Sequence, residues 1–259
     1  MNAPAIKLNK PVREQVSKTE WETRVNLAAC YRLMHEFGMV EMVANHISAR
    51  VPGTTNEFLI NPYGMLYEEM TASSLVRIDL DGNILFNATD YGINQAGYVI
   101  HSAIHAARHD VDCVIHTHTL AGMAVSAMKC GLMPIAQTSM RWAKGVSYHA
   151  YEGIAIHLEE RDRLVKDLGD NDALILKNHG LLTCGPSIPE CFNNHYRLER
   201  ACKLQVMTLS CNTEIELPPR EIMDESWKLF QPGVRRRFGW LEWPALLRKL
   251  DRIDPSYRD

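Results

Sequence analysis

Two histidines separated by one residue, His116 and His118, sit in the run Val114-Ile115-His116-Thr117-His118-Thr119. On an extended strand, side chains two apart point to the same face. The pair therefore offers two imidazoles to one ion, at the roughly 2.0–2.1 Å metal–nitrogen distances such centres use. A third ligand has to come from elsewhere in the chain. His179 is the candidate, because it lies between two apolar segments at a turn, beside Gly180, which lets backbone approach closely. Three neutral imidazoles with open positions are the pattern of a catalytic metal centre rather than a structural one. An isolated H-x-H is also often two ordinary histidines, one buried and hydrogen-bonded, so the metal reading leans on the third.

The elements that must position these residues can be read from spacing. Asp112–His118 alternates and predicts a strand. Ala173–Lys177 and Leu181–Cys184 predict two more, with Asn178-His179-Gly180 as the turn between them. Trp21, Val25, Ala29, Leu33 and Phe37 recur every fourth residue, which predicts a helix over Glu20–Phe37 ended by Gly38. Further helices are expected over Asn94–Arg108, Leu120–Met128, Leu158–Leu168 and Ser187–Leu209. Ser187 with Glu190 three residues on reads as a capping box. Short extended segments are expected at His46–Val51, Glu57–Asn61, Leu75–Asp79, Val146–Tyr151 and Gly153–His157. The sum is an α/β chain with a mixed or antiparallel central sheet. Residues 1–19 read as a loose arm, 20–212 as one domain, and 213–259 as a helical tail docked on the domain or on a neighbouring subunit.

The 259 residues, 46% hydrophobic, are enough for a sizeable core, and a net charge of -3 gives no reason to expect nucleic acid or a membrane surface as partner. No stretch reads as a signal peptide or a bilayer span. Seven cysteines without C-x-x-C pairs fit reduced thiols in a cytoplasm.

Several separated motifs occur in order: Asn45-His46-Ile47-Ser48-Ala49-Arg50, Asn61-Pro62-Tyr63-Gly64, Thr71–Val76, Asn94-Gln95-Ala96-Gly97 through His101 to Arg108, His116–Thr119, Ala124–Met128 and Lys177-Asn178-His179-Gly180-Leu181. Over Trp21 to Leu209 the chain resembles the class II aldolase/adducin family, nearer the adducin head domain and its bacterial relatives than the sugar-phosphate aldolases. The resemblance implies a three-layer α/β/α fold with a mainly antiparallel sheet and a homotetramer with sites at subunit interfaces. It implies that His116, His118 and His179 bind zinc, or manganese, iron or cobalt. In such aldolases the metal acts as a Lewis acid while a carbon–carbon bond breaks.

One departure bears on mechanism. The sugar-phosphate aldolases carry a Glu as acid/base four residues before the helix His. With His101 as that residue, the matching position is Gly97, and their phosphate-binding Ser-Ser is replaced by Gln95-Ala96. The resemblance places Asn45 and His46 along the substrate site, where His46 could replace the missing base, since imidazole titrates near neutrality. A turn-capping His is the equal alternative. Gln137, Thr138 and Arg141 fall in a region that reaches an active site, and Arg141 could grip a carboxylate; an ion pair is its ordinary alternative. Asn61, Tyr63 and Gly64 are substrate-contact candidates that as turn residues need no function. His101, His105 and His109 have metal-compatible spacing, but His101 is expected to be buried and hydrogen-bonded with the other two on the helix flank. His149 is a weaker candidate for the cavity. Arg235-Arg236-Arg237 reads as a solvated or interface patch.

The expected activity is a metal-dependent lyase acting on a small oxo- or hydroxy-acid by aldol cleavage or decarboxylation. An Fe(II) oxygenase, a phosphosugar aldolase using His46, and a non-enzymatic module like the adducin head are the competing expectations.

Overall fold

Ser17 starts the first helix by accepting the Glu20 amide at 3.1 Å, and the chain runs helically over Lys18–Glu36 (α1). The computed structural model describes residues 10–153, 159–231, 233–234 and 236–259. Eight strands follow in one sheet: β1 (His46–Arg50), β2 (Glu57–Ile60), β3 (Val76–Asp79), β4 (Ile84–Phe86), β5 (Cys113–Thr117), β6 (Ser147–His149), β7 (Ala173–Leu176) and β8 (Gly180–Gly185). Their order is β4-β3-β2-β1-β5-β8-β7-β6, antiparallel throughout except for β6 beside β7. The helices between them are α2 (Gln95–Ala107), α3 (Leu120–Ser126), α4 (Gln137–Met140) and α5 (Glu160–Leu168), and α6 (Ile188–Ser210) follows β8. Two more, α7 (Arg220–Lys228) and α8 (Trp243–Ile253), follow α6.

Strand alternation sorts the side chains into two layers around the sheet. Ile47, Ala49, Ile115 and Leu59 point to one face and pack with Leu27, Tyr31 and Met34 of α1, Phe192 of α6, and Trp243 and Leu250 of α8. Val114, Leu174 and Leu182 point to the other, against Ile100 and Ile104 of α2 and Leu164 and Leu168 of α5. The result is a three-layer α/β/α architecture. His46, Ser48 and His116 alternate with the first set, so all three face α2.

Several local features depart from the expected reading. The strand β4 was not expected, because three residues between Asp81-Gly82-Asn83 and Asn87 are too few to show a period. Ser187 caps α6, but Glu190 does not close a capping box. Its carboxylate takes the Ser187 hydroxyl at 2.6 Å and Arg237 at 2.9 Å instead of reaching back to the Ser187 amide. Val12, within the supposed arm, is buried at the foot of a 3-10 turn. His105 is fully buried rather than on the flank of α2, while His109 is exposed. The extended segment expected at Gly153–His157 falls largely on 154–158, outside the described residues. Arg236 and Arg237 are exposed, in keeping with the expected solvated patch, and pair with Glu242 and Glu190; Arg235 lies outside the described residues.

One buried ion pair ties α1 to the sheet. Arg24 donates to Glu20 at 2.9 Å and to the Leu75 carbonyl at 2.7 Å, and Glu20 also accepts from Arg77 at 2.9 Å. Burial lowers the pKa of Arg24, and Glu20 works against that. Removing one partner of a buried pair leaves the other charge uncompensated, which costs about 3–5 kcal/mol. Glu20→Gln is therefore expected to lose about 3 kcal/mol or more in urea unfolding. Lys18→Ala, which breaks only the exposed 3.9 Å pair with Glu22, is expected to change stability by less than about 0.5 kcal/mol.

Candidate metal centre

The antiparallel ladder between β1 and β5 sets His46 directly opposite His116. The ladder between β5 and β8 sets Thr117 opposite Leu181, so the turn before β8 lies beside the end of β5. Asn178 takes a positive φ of 56° there, which Asn tolerates better than most residues. Gly180 has no freedom to be larger: an added Cβ would meet the Thr117 carbonyl and the His118 ring. This close approach carries the His179 ring to the other two. The centroids of His116 and His179 are 4.7 Å apart, and those of His118 and His179 are 4.8 Å apart.

The protonation pattern of the three rings follows from their outer partners. His116 Nδ1 lies 2.9 Å from the Leu181 carbonyl, which can only accept, so Nδ1 carries a proton and Nε2 is a bare lone pair. His118 Nδ1 lies 2.7 Å from a Glu41 carboxylate oxygen, which likewise holds a proton there. The inner atoms converge: His116 Nε2 is 2.9 Å from His118 Nε2, which is 3.0 Å from His179 Nε2. Bare lone pairs at that separation repel each other unless a cation is shared. Nitrogens bound tetrahedrally at roughly 2.0–2.1 Å sit about 3.3 Å apart, close to what is seen. His116, His118 and His179 thus fit a divalent transition metal, with Leu181 and Glu41 orienting two of the ligands. They are the one group of three or more His, Cys, Asp or Glu side chains of metal-binding geometry among the described residues.

Burial holds the pKa of His116 well below the usual imidazole range, and the neighbouring His46, His179 and His118 push the same way. Burial, then His118 and His149, brings His179 down to about 4. Both offer lone pairs at neutral pH.

His46 stands beside this group, its ring 4.9 Å from that of His116. Burial first, then His101, His118 and His179, depress its pKa strongly. Its Nδ1 pairs with His101 at 2.8 Å, and its Nε2 has no partner among the described residues. The ring lies against Gly97: a Cβ there would come within 2.8 Å of the His46 Cδ2 atom. The imidazole of β1 thus fills the space that a side chain at position 97 would need.

The other expected site residues are placed as follows. Asn45 is fully buried; its Oδ1 accepts the Glu41 amide at 2.9 Å, and its Nδ2 is sealed without a partner among the described residues. It thereby shapes the loop that delivers Glu41. Asn61 Oδ1 accepts from the Tyr31 hydroxyl at 2.9 Å and joins β2 to α1. Gly64 has φ of 124°, and a Cβ would overlap the Tyr91 ring, so the backbone requires glycine there. Gln137 is exposed at the start of α4. Arg141 is not brought to the three histidines within the chain. Its guanidinium is engaged by Asn193 and Asn194 of α6, on the sheet face opposite His116, and stacks near Phe238. Burial lowers its pKa to about 10. His149 is held by Asp167 at 2.7 Å.

Three supports escaped the sequence. Glu41 is in a loop with no period, and the Leu181 carbonyl has no side-chain signal. Thr119 caps α3 and also donates to the buried Glu199 at 2.5 Å, anchoring the residue after His118. A separate cavity of about 560 Å³ lies at the other end of β1, lined by Arg50, Asp112, Ile188, Trp240 and Trp243 among others.

Residues 25–206 match the family model described as the Class II Aldolase and Adducin N-terminal domain. A Pseudomonas aeruginosa protein named for aldolase class 2 is 51% identical over 95% of this chain and 96% of its own length. Rat alpha-adducin is 42% identical over 91% of this chain, which spans 34% of that protein. The crystal structure of an aldolase II superfamily protein from Pseudomonas syringae superposes with a TM-score of 0.90 at 50% identity, covering 96% of this chain and all (100%) of that one. An L-fuculose 1-phosphate aldolase from Glaciozyma antarctica shares the fold, with a TM-score of 0.82 at 24% identity, covering 98% of this chain and 96% of that one.

Partners that orient metal-ligating histidines are worth about 10–100-fold in affinity. Glu41 is exposed, so for a divalent ion on the three histidines Glu41→Ala is expected to weaken binding about tenfold. His109→Ala on the surface should leave binding unchanged. Competition against a chromophoric chelator measures both.

Proposed function

Because this chain belongs to the family of class II aldolases and adducin N-terminal domains, we propose that it is a metal-dependent carbon–carbon lyase. Its substrate class is a small oxo- or hydroxy-acid, cleaved by retro-aldol reaction or decarboxylation. The observation that carries this is the convergence of three Nε2 atoms, two with their Nδ1 partners already committed. Zinc is the first choice of ion, with manganese, iron or cobalt also suited to imidazole. Bound there, the ion would supply Lewis acidity to a substrate carbonyl or hydroxyl oxygen.

The chain's own groups supply the rest. His46 keeps Nε2 free beside the triad, and it replaces a base on α2 with one on β1. It takes the hydroxyl proton in an aldol cleavage and returns that same proton to the carbon left behind; after loss of carbon dioxide the carbon takes its proton from solvent. Burial keeps it neutral and able to accept. The start of α2 favours a substrate without phosphate. Asn94 Oδ1 already occupies the Ala96 and Gly97 amides at 3.0 and 3.4 Å, the donors that a phosphate at a helix N-terminus would use. Arg141 has no part in this account, since Asn193 and Asn194 hold it.

Met42, Leu120 and Tyr151 stand exposed next to Glu41, Thr119 and His149–Gly153 on the approach to the triad. Neighbouring copies would cover these side chains in the homotetramer that the family resemblance implies. A cytoplasmic location fits the same reading.

The identity to alpha-adducin favours one second reading, an assembly module without catalysis. Metal content separates the two. Protein purified without a metal-loaded affinity column is expected to carry about one transition-metal ion per chain, lost in His116→Ala. Less than about a tenth of an equivalent, even after supplementation, would leave only the module. On metal-loaded protein, His46→Gln is expected to lower turnover of 2-oxo or hydroxy acids by about 10²–10⁴-fold with metal content unchanged. Unaltered turnover removes His46 from the chemistry.

A further inference from the structure

Behind His46 three buried polar side chains line up. His46 Nδ1 meets His101 Nε2 at 2.8 Å, His101 Nδ1 meets Ser48 Oγ at 2.5 Å, and Ser48 Oγ meets His105 Nε2 at 2.7 Å. Strand alternation puts His46 and Ser48 on the face turned to α2, and the four-residue helical spacing puts His101 and His105 above them. None of the four exceeds 2% exposure. The His105 ring stacks on Phe58 at 4.9 Å, which fixes the far end.

Each link holds one proton, and the Ser48 hydroxyl has only one to give. The chain therefore has two orders in which every member is neutral. In the first, His46 Nδ1–H donates to His101, His101 Nδ1–H donates to Ser48, and Ser48 O–H donates to His105, which carries its proton on Nδ1. In the second every donor is reversed, and His46 carries its proton on Nε2. The two orders give His46 opposite chemistry toward the triad: an open lone pair in the first, an N–H in the second.

The end of the chain selects between them. His105 Nδ1 is sealed from solvent and has no hydrogen-bond partner among the described residues. The Val111 carbonyl favours the protonated His105 ring, and Nδ1 is the nitrogen that Ser48 leaves unengaged. The Val111 oxygen is itself held in place by Arg50, whose Nε and Nη2 donate to it at 3.3 and 3.1 Å.

We propose that Ser48, His101 and His105 are positioning residues that impose the Nδ1–H tautomer on His46, so that its Nε2 is a lone pair on the side of the three histidines. Free histidine in water prefers the opposite tautomer, so this state has to be imposed. With His46 as the proton carrier proposed above, the hydrogen-bonded chain keeps it a base before substrate arrives. The tautomer itself can be read without metal or substrate.

The test is long-range ¹H–¹⁵N correlation on full-length, metal-free protein labelled with ¹⁵N-histidine, at neutral pH. His46, His101 and His105 are all expected to report Nδ1–H. Ser48→Ala is expected to move His46 wholly or largely to Nε2–H, and Ser48→Thr, which restores the hydroxyl, to keep the wild-type signature. Should Ser48→Ala fail to fold by circular dichroism, His105→Phe cuts the same chain beside Phe58 with the same expected shift. An Nε2–H signal at His46 in the wild type, or no change in a folded cut variant, would overturn the assignment. The expected tautomers without any lyase turnover would sink the proposed function and leave the positioning intact. Reversed tautomers with turnover retained would do the opposite.

Discussion

The Leu181 carbonyl accepts the Nδ1 proton of His116, and through that one bond the sheet dictates what the candidate site can do. A strand carbonyl cannot donate, so the imidazole is locked with its Nε2 bare and turned toward His118. The bond exists because β8 lies beside β5 in a register that sets Leu181 against Thr117, one residue from His116. A shift of one residue would turn His116 to the opposite face, among the apolar side chains under α6. The same register carries the 178–180 turn past the end of β5 and delivers His179.

The other neighbour of β5 is equally constrained. Pairing of His46 with His116 sets the two rings side by side on the α2 face. Gly97 makes room for the first of them. A larger residue at 97 and the observed position of His46 exclude each other on steric grounds. The absence of a side chain on α2 and the presence of an imidazole on β1 are therefore one feature. It moves the candidate proton-handling group from helix to strand without enlarging the site.

Much of the fold was legible because its elements are strongly periodic. The α1 stripe from Trp21 to Phe37, the α2 face from Ala96 to Ala107, and the alternation around His116 all correspond to the observed elements within a residue or two. Strand β4 was not legible, being three residues long. His105 was placed on the helix flank because its position on α2 admits either surface or core. It goes inside because Ser48 waits there with a hydroxyl to share. Arg141 looked available for a carboxylate. Asn193 and Asn194 lie more than fifty residues later, on a helix whose docking angle no local pattern encodes.

The order of residues alone determined that two imidazoles share a strand face and that a third sits at a glycine-bearing turn. It also determined that the base expected on α2 is missing. These are local facts, set by the two-residue strand repeat and by the side-chain type at one position. Only the tertiary structure decided which nitrogen of each ring is bare, what fills the space at Gly97, and what stands behind His46. Those depend on a backbone carbonyl, a cross-strand register and a helix laid over a sheet. Each is a through-space pairing of groups far apart in the chain, and geometry of that kind leaves no trace in the spacing of residues along it.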